Sequence, residues 1–309
     1  MKSVVVLATY NGSRYVEEQL KSILAQTRKP DRIVIADDRS TDGTPEICEK
    51  MLSASGIAYS IRVNPEQLRP ARNFMHAAAE AEEDVVFFCD QDDIWDINKI
   101  QRMMVPFEEN ENCTMAFSDA DVWYPDQPIT QTMNEFIGFD TGMGKGKEGF
   151  LDQDQLWSQL ISRSLMNGMN MAVRKEVAVQ IRDDLLMLHD SWYALQAAAM
   201  GRVWCINASL ARYRQHAVNV SGADGRLTKK KMSNSRQKVL KSFDGIKERI
   251  RIIESLEETY HMLNEENREQ AVLRHNCFAY LKNEREYQKY HFCPSRNLMI
   301  RDLLVTVSR

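Results

Sequence analysis

Short apolar runs alternate with helical patterns over the first ninety residues. Four runs predict strands because β-branched or aromatic residues dominate them: Ser3 to Ala8, Arg32 to Ala36, Ile57 to Val63 and Val85 to Phe88. Between these runs, apolar residues recur at helical spacing. This βαβ rhythm predicts a mostly parallel sheet between helices, of the type that binds nucleotides.

The pattern becomes less regular in the middle of the chain. A helix is predicted from Trp192 to Met200, and the five glycines between Gly138 and Gly149 predict a loop. Further strands are predicted at Met115 to Ser118, Val122 to Tyr124, Asn167 to Val173, Val203 to Ile206 and Ala208 to Tyr213. The last two runs are either two strands or one strand interrupted by Asn207.

The character changes again after Leu227, where Lys229-Lys230-Lys231 precedes long amphipathic segments. The predicted helices are Val239 to Leu263, Glu266 to Tyr287 and Leu298 to Val307, with an apolar stripe at Ile246, Ile250, Ile253 and Leu256. We therefore predict two domains, 1–225 with the sheet and 226–309 as a helical C-terminal extension.

Charge supports this division. The chain of 309 residues has a formal net charge of −4, made of −11 over residues 1–225 (22 basic, 33 acidic) and +7 over 226–309 (18 basic, 11 acidic). The sequence of the tail leaves two hypotheses. The tail either packs or self-associates through its apolar stripe, or it contacts an anionic membrane peripherally. No stretch approaches the roughly 18 apolar residues of a membrane span. Six scattered cysteines without metal-ligand spacing predict reduced, buried thiols of a cytoplasmic protein.

The stretch from Phe87 to Ile100 carries the strongest chemical signal. Asp90, Asp92 and Asp93 follow directly after a buried strand, at the sheet edge where open α/β folds bind ligands. Carboxylates this close repel one another unless protons or a cation compensate them, and oxygen ligands suit Mg²⁺ or Mn²⁺. The alternative is that these residues only cap a helix beginning near Asp93 or Asp96.

Other polar positions have two interpretations each. Arg72 lies near a predicted helix start, where it either contacts a phosphate or base or is only solvated. Asp190 is either a helix N-cap or a general base. His216 follows a strand end beside Arg214, and is either structural or a ligand to metal or phosphate.

Taken in order, the segments TYNG, DDRSTDGT, ARN, CDQDDIW, an Asp that opens a late helix and the segment YRQH resemble family 2 inverting glycosyltransferases of the GT-A fold. Within them, the chain resembles the bacterial rhamnosyltransferase-like branch. The resemblance covers about residues 1–222. It implies nucleotide-sugar contacts at Thr9, Tyr10, Asn11, Asp37, Asp38, Arg72, Asp90 and Arg214. It also implies metal ligands at Asp92, Asp93 and His216, and a catalytic base at Asp190.

The resemblance implies the function too. The expected reaction moves one sugar from a nucleoside-diphosphate sugar, such as dTDP-rhamnose or a UDP-sugar, to a hydroxyl of a saccharide or lipid-linked saccharide. The expected cofactor is Mn²⁺ or Mg²⁺, and the expected setting is surface polysaccharide synthesis in the cytoplasm or at the inner face of the membrane. No nucleic-acid partner is expected. The rival hypotheses are a Mg²⁺-dependent phosphotransfer enzyme and an inactive sugar-nucleotide binder or scaffold.

Overall fold

The computed structural model describes residues 1–162, 164–216 and 235–271, with the side chains of residue 162 and of 235–246 outside that description. The described residues form two compact units. One contains 1–151 and 165–216, and the other contains 152–164 and 235–271. The division near residue 225 stays a prediction, and the segment 152–164 groups with the second unit.

Nine strands are described in one sheet: β1 Ser3–Thr9, β2 Arg32–Asp37, β3 Ala58–Val63, β4 Val85–Cys89, β5 Ile94–Trp95, β6 Cys113–Trp123, β7 Glu148–Phe150, β8 Met171–Arg174 and β9 Arg202–Arg214. The strand order is β3-β2-β1-β4-β8-β6-β9-β5, and β7 also pairs with β9. The sheet is therefore mixed, with its first four strands parallel.

Nine α-helices have both ends in the described ranges: α1 Val16–Leu24, α2 Thr44–Leu52, α3 Arg69–Ala79, α4 Lys99–Glu109, α5 Met133–Ile137, α6 Gln153–Ser162, α7 Lys175–Ala178, α8 His189–Met200 and α9 Ser235–Tyr260. In that part of the chain, no helix is both long and apolar enough to cross a membrane.

The parallel half confirms the predicted βαβ pattern. β1 pairs with β2 on one side and with β4 on the other, so that Thr9 lies beside Asp37 and Leu7 lies beside Cys89. Every residue of β4 is buried, as expected for a strand covered by helices on both faces. The polar residues that follow β1, β2 and β4 therefore share one edge of the sheet.

Of the two alternatives for the runs around Asn207, the structure has the single strand β9. The rest of this half differs from the sequence prediction in three places. The two runs predicted within Met115 to Tyr124 form one continuous strand, β6. Strand β7 begins within the predicted glycine loop. After the acidic stretch comes the short strand β5, which pairs with β9, so that α4 begins only at Lys99. Pairing across the sheet decides these local choices, which nearby sequence alone cannot determine.

The second unit packs α6 against α9. The Arg249 guanidinium donates to the Leu160 carbonyl (3.3 Å) and to Ser164 Oγ (2.6 Å), and Asn267 Nδ2 donates to the Asp154 carbonyl (3.0 Å). The described members of the apolar stripe are all buried: Ile250, Ile253 and Leu256. Self-association through this stripe is thus not supported, because these side chains are already covered.

Parts of the predicted tail lie outside the described residues. These are the Lys229-Lys230-Lys231 run, the predicted helix Leu298 to Val307 and the segment Glu266 to Tyr287 beyond residue 271. The four described cysteines are free and buried, as expected: Cys48, Cys89, Cys113 and Cys205.

The burial of β4 gives a first prediction. Replacing Phe87 with Ala should lower the free energy of unfolding by about 3–5 kcal/mol, because Phe87 is fully buried and its removal leaves a cavity. Chemical denaturation would measure the loss. The control is Val63→Ala at a position 53% exposed, where a change within about 0.5 kcal/mol is expected. Equal losses in both variants would contradict the assigned burial.

Candidate active site

A cleft of about 730 Å³ opens at the carboxyl ends of β1, β2 and β4. This volume lies in the range of roughly 300–1,000 Å³ that is typical of small-molecule sites. Its walls come from the loops after these strands, from α1 and α3, and from the end of β9. The lining residues are Ala8, Thr9, Tyr10, Asn11, Tyr15, Asp38, Gln67, Arg69, Pro70, Asn73, Phe74, Asp90, Gln91, Asp92, Tyr213 and His216.

Asp37 joins the ends of β1 and β2. Its fully buried carboxylate accepts hydrogen bonds from Thr9 Oγ1 (2.6 Å), Ser40 N (2.7 Å) and Ser40 Oγ (2.6 Å). Asn11, in a left-handed conformation with φ 47°, accepts a bond from Thr41 N (2.9 Å). Asp37 itself does not line the cleft. Its hydrogen bonds instead fix the loops that carry Thr9 and Asn11, and these two residues do line the cleft.

Asp38 fixes the start of α3. It accepts hydrogen bonds from Asn64 Nδ2 (2.9 Å) and from the backbone N–H groups of Leu68 (2.6 Å) and Arg69 (2.8 Å). A carboxylate has about four acceptor positions, so three bonds leave room for one more. Asp38 therefore borders the cleft with a rigid orientation and with capacity for one ligand donor.

Arg72 lies elsewhere than the sequence suggests. It does not line the cleft, and its Nε lies 3.6 Å from Asp183 Oδ1. Arg69 lines the cleft instead, in a left-handed conformation with φ 67° at the first turn of α3. The apolar pattern predicts this helix from Phe74 onward, whereas α3 begins at Arg69 and contains both arginines. The predicted role of Arg72 as a nucleotide contact has no support from this placement.

Gln91 connects the acidic loop to the loop after β1. Its side-chain amide accepts a hydrogen bond from Tyr10 N (2.9 Å) and donates one to the Tyr10 carbonyl (3.1 Å). A Cβ on Gly12 would lie 2.0 Å from Gln91 Oε1, so any other residue at position 12 would displace the Gln91 amide from this position. No local pattern in the sequence signals this contact, because Tyr10 and Gln91 lie 81 positions apart.

Asp92 and His216, two candidate metal ligands, are in direct contact in the cleft. His216 Nε2 lies 2.6 Å from Asp92 Oδ2, and both side chains are 14% exposed. The His216 ring stacks on Tyr15 with a centroid distance of 4.7 Å, which fixes the ring plane. Strand β9 thus places an imidazole against the acidic loop from 124 residues away.

Asp93 lies beneath the cleft rather than in its wall. It is fully buried, its Oδ1 accepts a hydrogen bond from Arg214 N (3.0 Å), and its Oδ2 has no hydrogen-bond partner. Burial raises the pKa of Asp93 well above its usual value, and the charges of Asp92 and Asp90 raise it further. Burial also lowers the pKa of the fully buried Lys99 to about 8, although the nearby Asp93 opposes that shift.

Arg214 supports the acidic loop from below. Its Nε donates to the Asp92 carbonyl (2.7 Å), and it pairs with Glu18. Its guanidinium lies between two rings, 4.2 Å from the Trp123 centroid and 5.1 Å from that of Tyr15. Because Arg214 is 6% exposed and does not line the cleft, the predicted contact with a nucleotide sugar has no support from its placement.

Asp190 lies at the start of α8, where its Oδ1 accepts a hydrogen bond from Ser191 N (2.6 Å). It does not line the cleft, but it lies close enough to act electrostatically on Asp90. Burial first, and then the charges of Asp92 and Asp190, raise the pKa of Asp90 to about 7. Three carboxylates from β4 and α8 therefore share one electrostatic environment. Within the described ranges, no group of three or more His, Cys, Asp or Glu residues is arranged to hold a metal.

The family profile described as "Glycosyl transferase family 2" matches residues 4–160, about half of the chain. The chain belongs to this family. The match includes the first two lining loops, α3 and the acidic stretch. It ends before Asp190 and His216, which come from the part of the chain beyond it.

Relatives of known sequence agree with this assignment. The dTDP-rhamnosyl transferase RfbG of Shigella flexneri is 28% identical over 234 residues, which cover 71% of this chain and 74% of RfbG. An uncharacterized glycosyltransferase of Nostoc, alr2836, is 32% identical over 121 residues, which cover 36% of this chain and 34% of that protein.

Solved structures show the same fold. TarS of S. aureus in complex with UDP matches with a TM-score of 0.62 and 17% identity, over 89% of this chain and 70% of that one. The mannosyltransferase PcManGT of Pyrobaculum calidifontis, with GDP-Man and Mn²⁺, matches with a TM-score of 0.51 and 16% identity, over 99% and 86% of the two chains. The family 2 chain thus has the predicted GT-A fold, a mixed and mostly parallel sheet between helices with helices toward its C-terminal end.

His189, next to Asp190, gives a prediction on pH. Its ring stacks on Phe74 at 4.1 Å, and burial lowers its pKa to about 3. The folded state keeps His189 neutral while the unfolded chain binds a proton below about pH 6.5. Stability should therefore fall as the pH drops from about 6.5 toward 3, by up to about 1.4 kcal/mol per pH unit.

Chemical denaturation at pH 7 and pH 5 would measure this effect. Between these values, wild type should lose about 2 kcal/mol more than His189→Phe, which keeps the aromatic contact without the titration. His261→Gln, at an exposed position, should behave like wild type. Identical losses in wild type and His189→Phe would show that His189 is not held neutral by burial.

Proposed function

We propose that this protein is an inverting glycosyltransferase that moves one sugar from a nucleoside-diphosphate sugar to a hydroxyl of a saccharide or lipid-linked saccharide. The observation that carries the proposal is the Asp92–His216 pair, 2.6 Å apart in a 730 Å³ cleft at the carboxyl ends of the parallel strands. Membership of glycosyl transferase family 2 supports the reaction class.

The nucleoside end of the donor fits the side of the cleft formed by β1, β2 and α3. Thr9, Tyr10, Asn11 and Asp38 line it, with Asp38 offering one acceptor position for a ring N–H such as that of a pyrimidine. The similarity to a dTDP-rhamnosyl transferase supports a dTDP- or UDP-sugar. Arg69, rather than Arg72, supplies the cation at this wall.

A divalent cation fits the other side of the cleft. Asp92 and His216 offer one oxygen and one nitrogen ligand in contact with each other, and diphosphate oxygens and water would complete the coordination of a divalent cation. The imidazole nitrogen fits Mn²⁺ better than Mg²⁺, which prefers oxygen ligands. When bound, the cation would neutralise charge that develops on the leaving diphosphate. We assign the ligand role to Asp92 and His216 and not to Asp93, because Asp93 does not reach the cleft.

Asp190 is proposed as the general base. Its hydrogen bond from Ser191 N fixes the direction of the carboxylate, and its electrostatic effect on Asp90 indicates that it lies near the reaction centre. Asp190 takes the proton from the acceptor hydroxyl, whose oxygen attacks the anomeric carbon on the face opposite the diphosphate. The glycosyl–phosphate bond breaks as the new bond forms, and one displacement inverts the configuration.

The setting of the reaction is proposed from the same resemblance. An acceptor that belongs to a surface polysaccharide, at the inner face of the cell membrane, fits a relative that transfers rhamnose. Contact with that membrane through the basic tail rests on the sequence alone, because Lys229-Lys230-Lys231 lies outside the described residues.

The metal role of Asp92 can be tested by binding. In Asp92→Asn the affinity for UDP or dTDP in the presence of Mn²⁺ should fall by at least about tenfold, because one charged ligand is lost. Affinity without metal should change little. Isothermal titration calorimetry would measure both, with Asp126→Asn, an exposed carboxylate in a loop, as the matched control. Unchanged Mn²⁺-dependent affinity in Asp92→Asn would rule out the proposed ligand.

The base can be tested by kinetics. In Asp190→Asn, kcat for transfer should fall by at least about a hundredfold, the low end for losing general base catalysis, with little change in donor affinity. Asp184→Asn, an exposed carboxylate in the loop before α8, is the control and should retain wild-type kcat. Transfer by Asp190→Asn within a few-fold of wild type would assign the base to another group.

A further inference from the structure

A second cavity of about 400 Å³ lies along the middle of β6 and β9. Its other walls come from α5 and from the loop that follows this helix. It shares no lining residue with the 730 Å³ cleft, which we call the donor cleft. The lining residues are Asp119, Thr132, Asn134, Glu135, Gly138, Phe139, Asp140, Thr141, Met143, Lys145, Asn207, Ala208 and Ser209.

Two buried polar side chains in this cavity have hydrogen-bonding capacity that the fold does not use. Asn134 is 8% exposed, and its Nδ2 has no hydrogen-bond partner. Asp119 is 5% exposed, and its Oδ1 accepts from Ala120 N (2.8 Å) and Asn134 N (3.0 Å), whereas no donor in the described residues reaches its Oδ2. Buried polar groups are nearly always paired, so an unpaired amide beside an available carboxylate oxygen indicates a ligand or water partner.

The charges of the lining restrict the class of ligand. Asp119, Glu135 and Asp140 oppose the single cation Lys145, which disfavours phosphates, nucleotides and acidic sugars. Nor are these carboxylates arranged as a metal-binding group in the described part of the chain. A neutral ligand with several hydroxyl groups fits better.

The remaining lining fits such a ligand. Thr132, Thr141 and Ser209 add hydroxyl groups, which both donate and accept hydrogen bonds. Phe139, which stacks on Phe117 at 5.6 Å, adds a rigid apolar surface to the wall. Hydroxyl, amide and carboxylate groups beside an aromatic ring match the alternating polar and apolar surface of a neutral sugar ring, and the volume is that of a small-molecule site.

We propose that this cavity binds a neutral sugar ring of the saccharide acceptor, away from the reaction centre. This rests on the proposed function. Strand β9 lines both cavities, with Asn207 to Ser209 at the second cavity and Tyr213 at the donor cleft. Ser209 and Tyr213 are four positions apart along the extended chain, a span of about 13 Å. An acceptor of several sugars spans this distance, and a single sugar does not.

Binding can be tested by saturation-transfer NMR on the full chain. The probes are methyl α-L-rhamnoside, methyl β-D-glucoside and methyl N-acetyl-β-D-glucosaminide, with UDP and Mn²⁺ added to fill the donor cleft. At least one glycoside should give a signal that persists with UDP present. Its affinity should fall about tenfold in Asn134→Leu, which removes the amide at similar size, and should be unchanged in Asn112→Leu at an exposed position.

Further measurements keep the outcomes separable. UDP binding to each sample tests the donor cleft independently. If wild type binds UDP but no glycoside, only the second site is overturned. If wild type binds neither UDP nor a glycoside, the result counts against the proposed function. If Asn134→Leu does not fold, Ser209→Gln, which extends a side chain into the cavity from β9, takes its place. Glycoside signals that disappear on adding UDP, or that survive both variants, overturn the proposal.

Discussion

Crowding of negative charge at the end of β4 is the constraint on which this structure depends. Asp90, Asp92 and Asp93 occupy three of the four positions that follow a fully buried strand, and burial raises the pKa of Asp90 and Asp93. Two of the three carboxylates have different partners. The Asp92 carboxylate contacts the imidazole of His216. The Asp93 carboxylate accepts a hydrogen bond from the backbone N–H of Arg214, and the buried charge of Lys99 lowers its pKa in part. The hydrophobic sheet holds these charges together against their repulsion.

Rigid supports surround this charge and account for the shape of the cleft. The Gln91 amide fastens the acidic loop to Tyr10, and the Arg214 side chain, fixed between Trp123 and Tyr15, holds the Asp92 carbonyl. Neither residue requires a ligand for its contacts. A cleft whose walls are set before the donor arrives loses less conformational entropy on binding, which favours affinity.

The sequence predicts the parallel half of the fold and most of the lining loops, because apolar periodicity and strand-end polar residues are local signals. The sequence predicts the structure less well where strand pairing between distant segments determines the local conformation. Arg69 lines the cleft although the sequence pointed to Arg72, and α3 begins five residues earlier than the apolar pattern suggests. Asp93 is buried next to the short strand β5, which pairs with β9. The second cavity is lined by residues of β6, α5 and β9, which are far apart in the sequence, so no local pattern predicts it.

The position of β9 has a consequence for biosynthesis. His216 and the backbone N–H of Arg214 meet the acidic loop across 121 to 124 residues of chain, so these contacts form only after the whole sheet has emerged from the ribosome. Contacts of such long sequence separation are slow to form. During translation the side of the cleft formed by β1, β2 and α3 can fold first, whereas the acidic loop gains its contacts with Arg214 and His216 later. The nascent chain therefore completes one wall of the cleft before the contacts that fix the acidic loop.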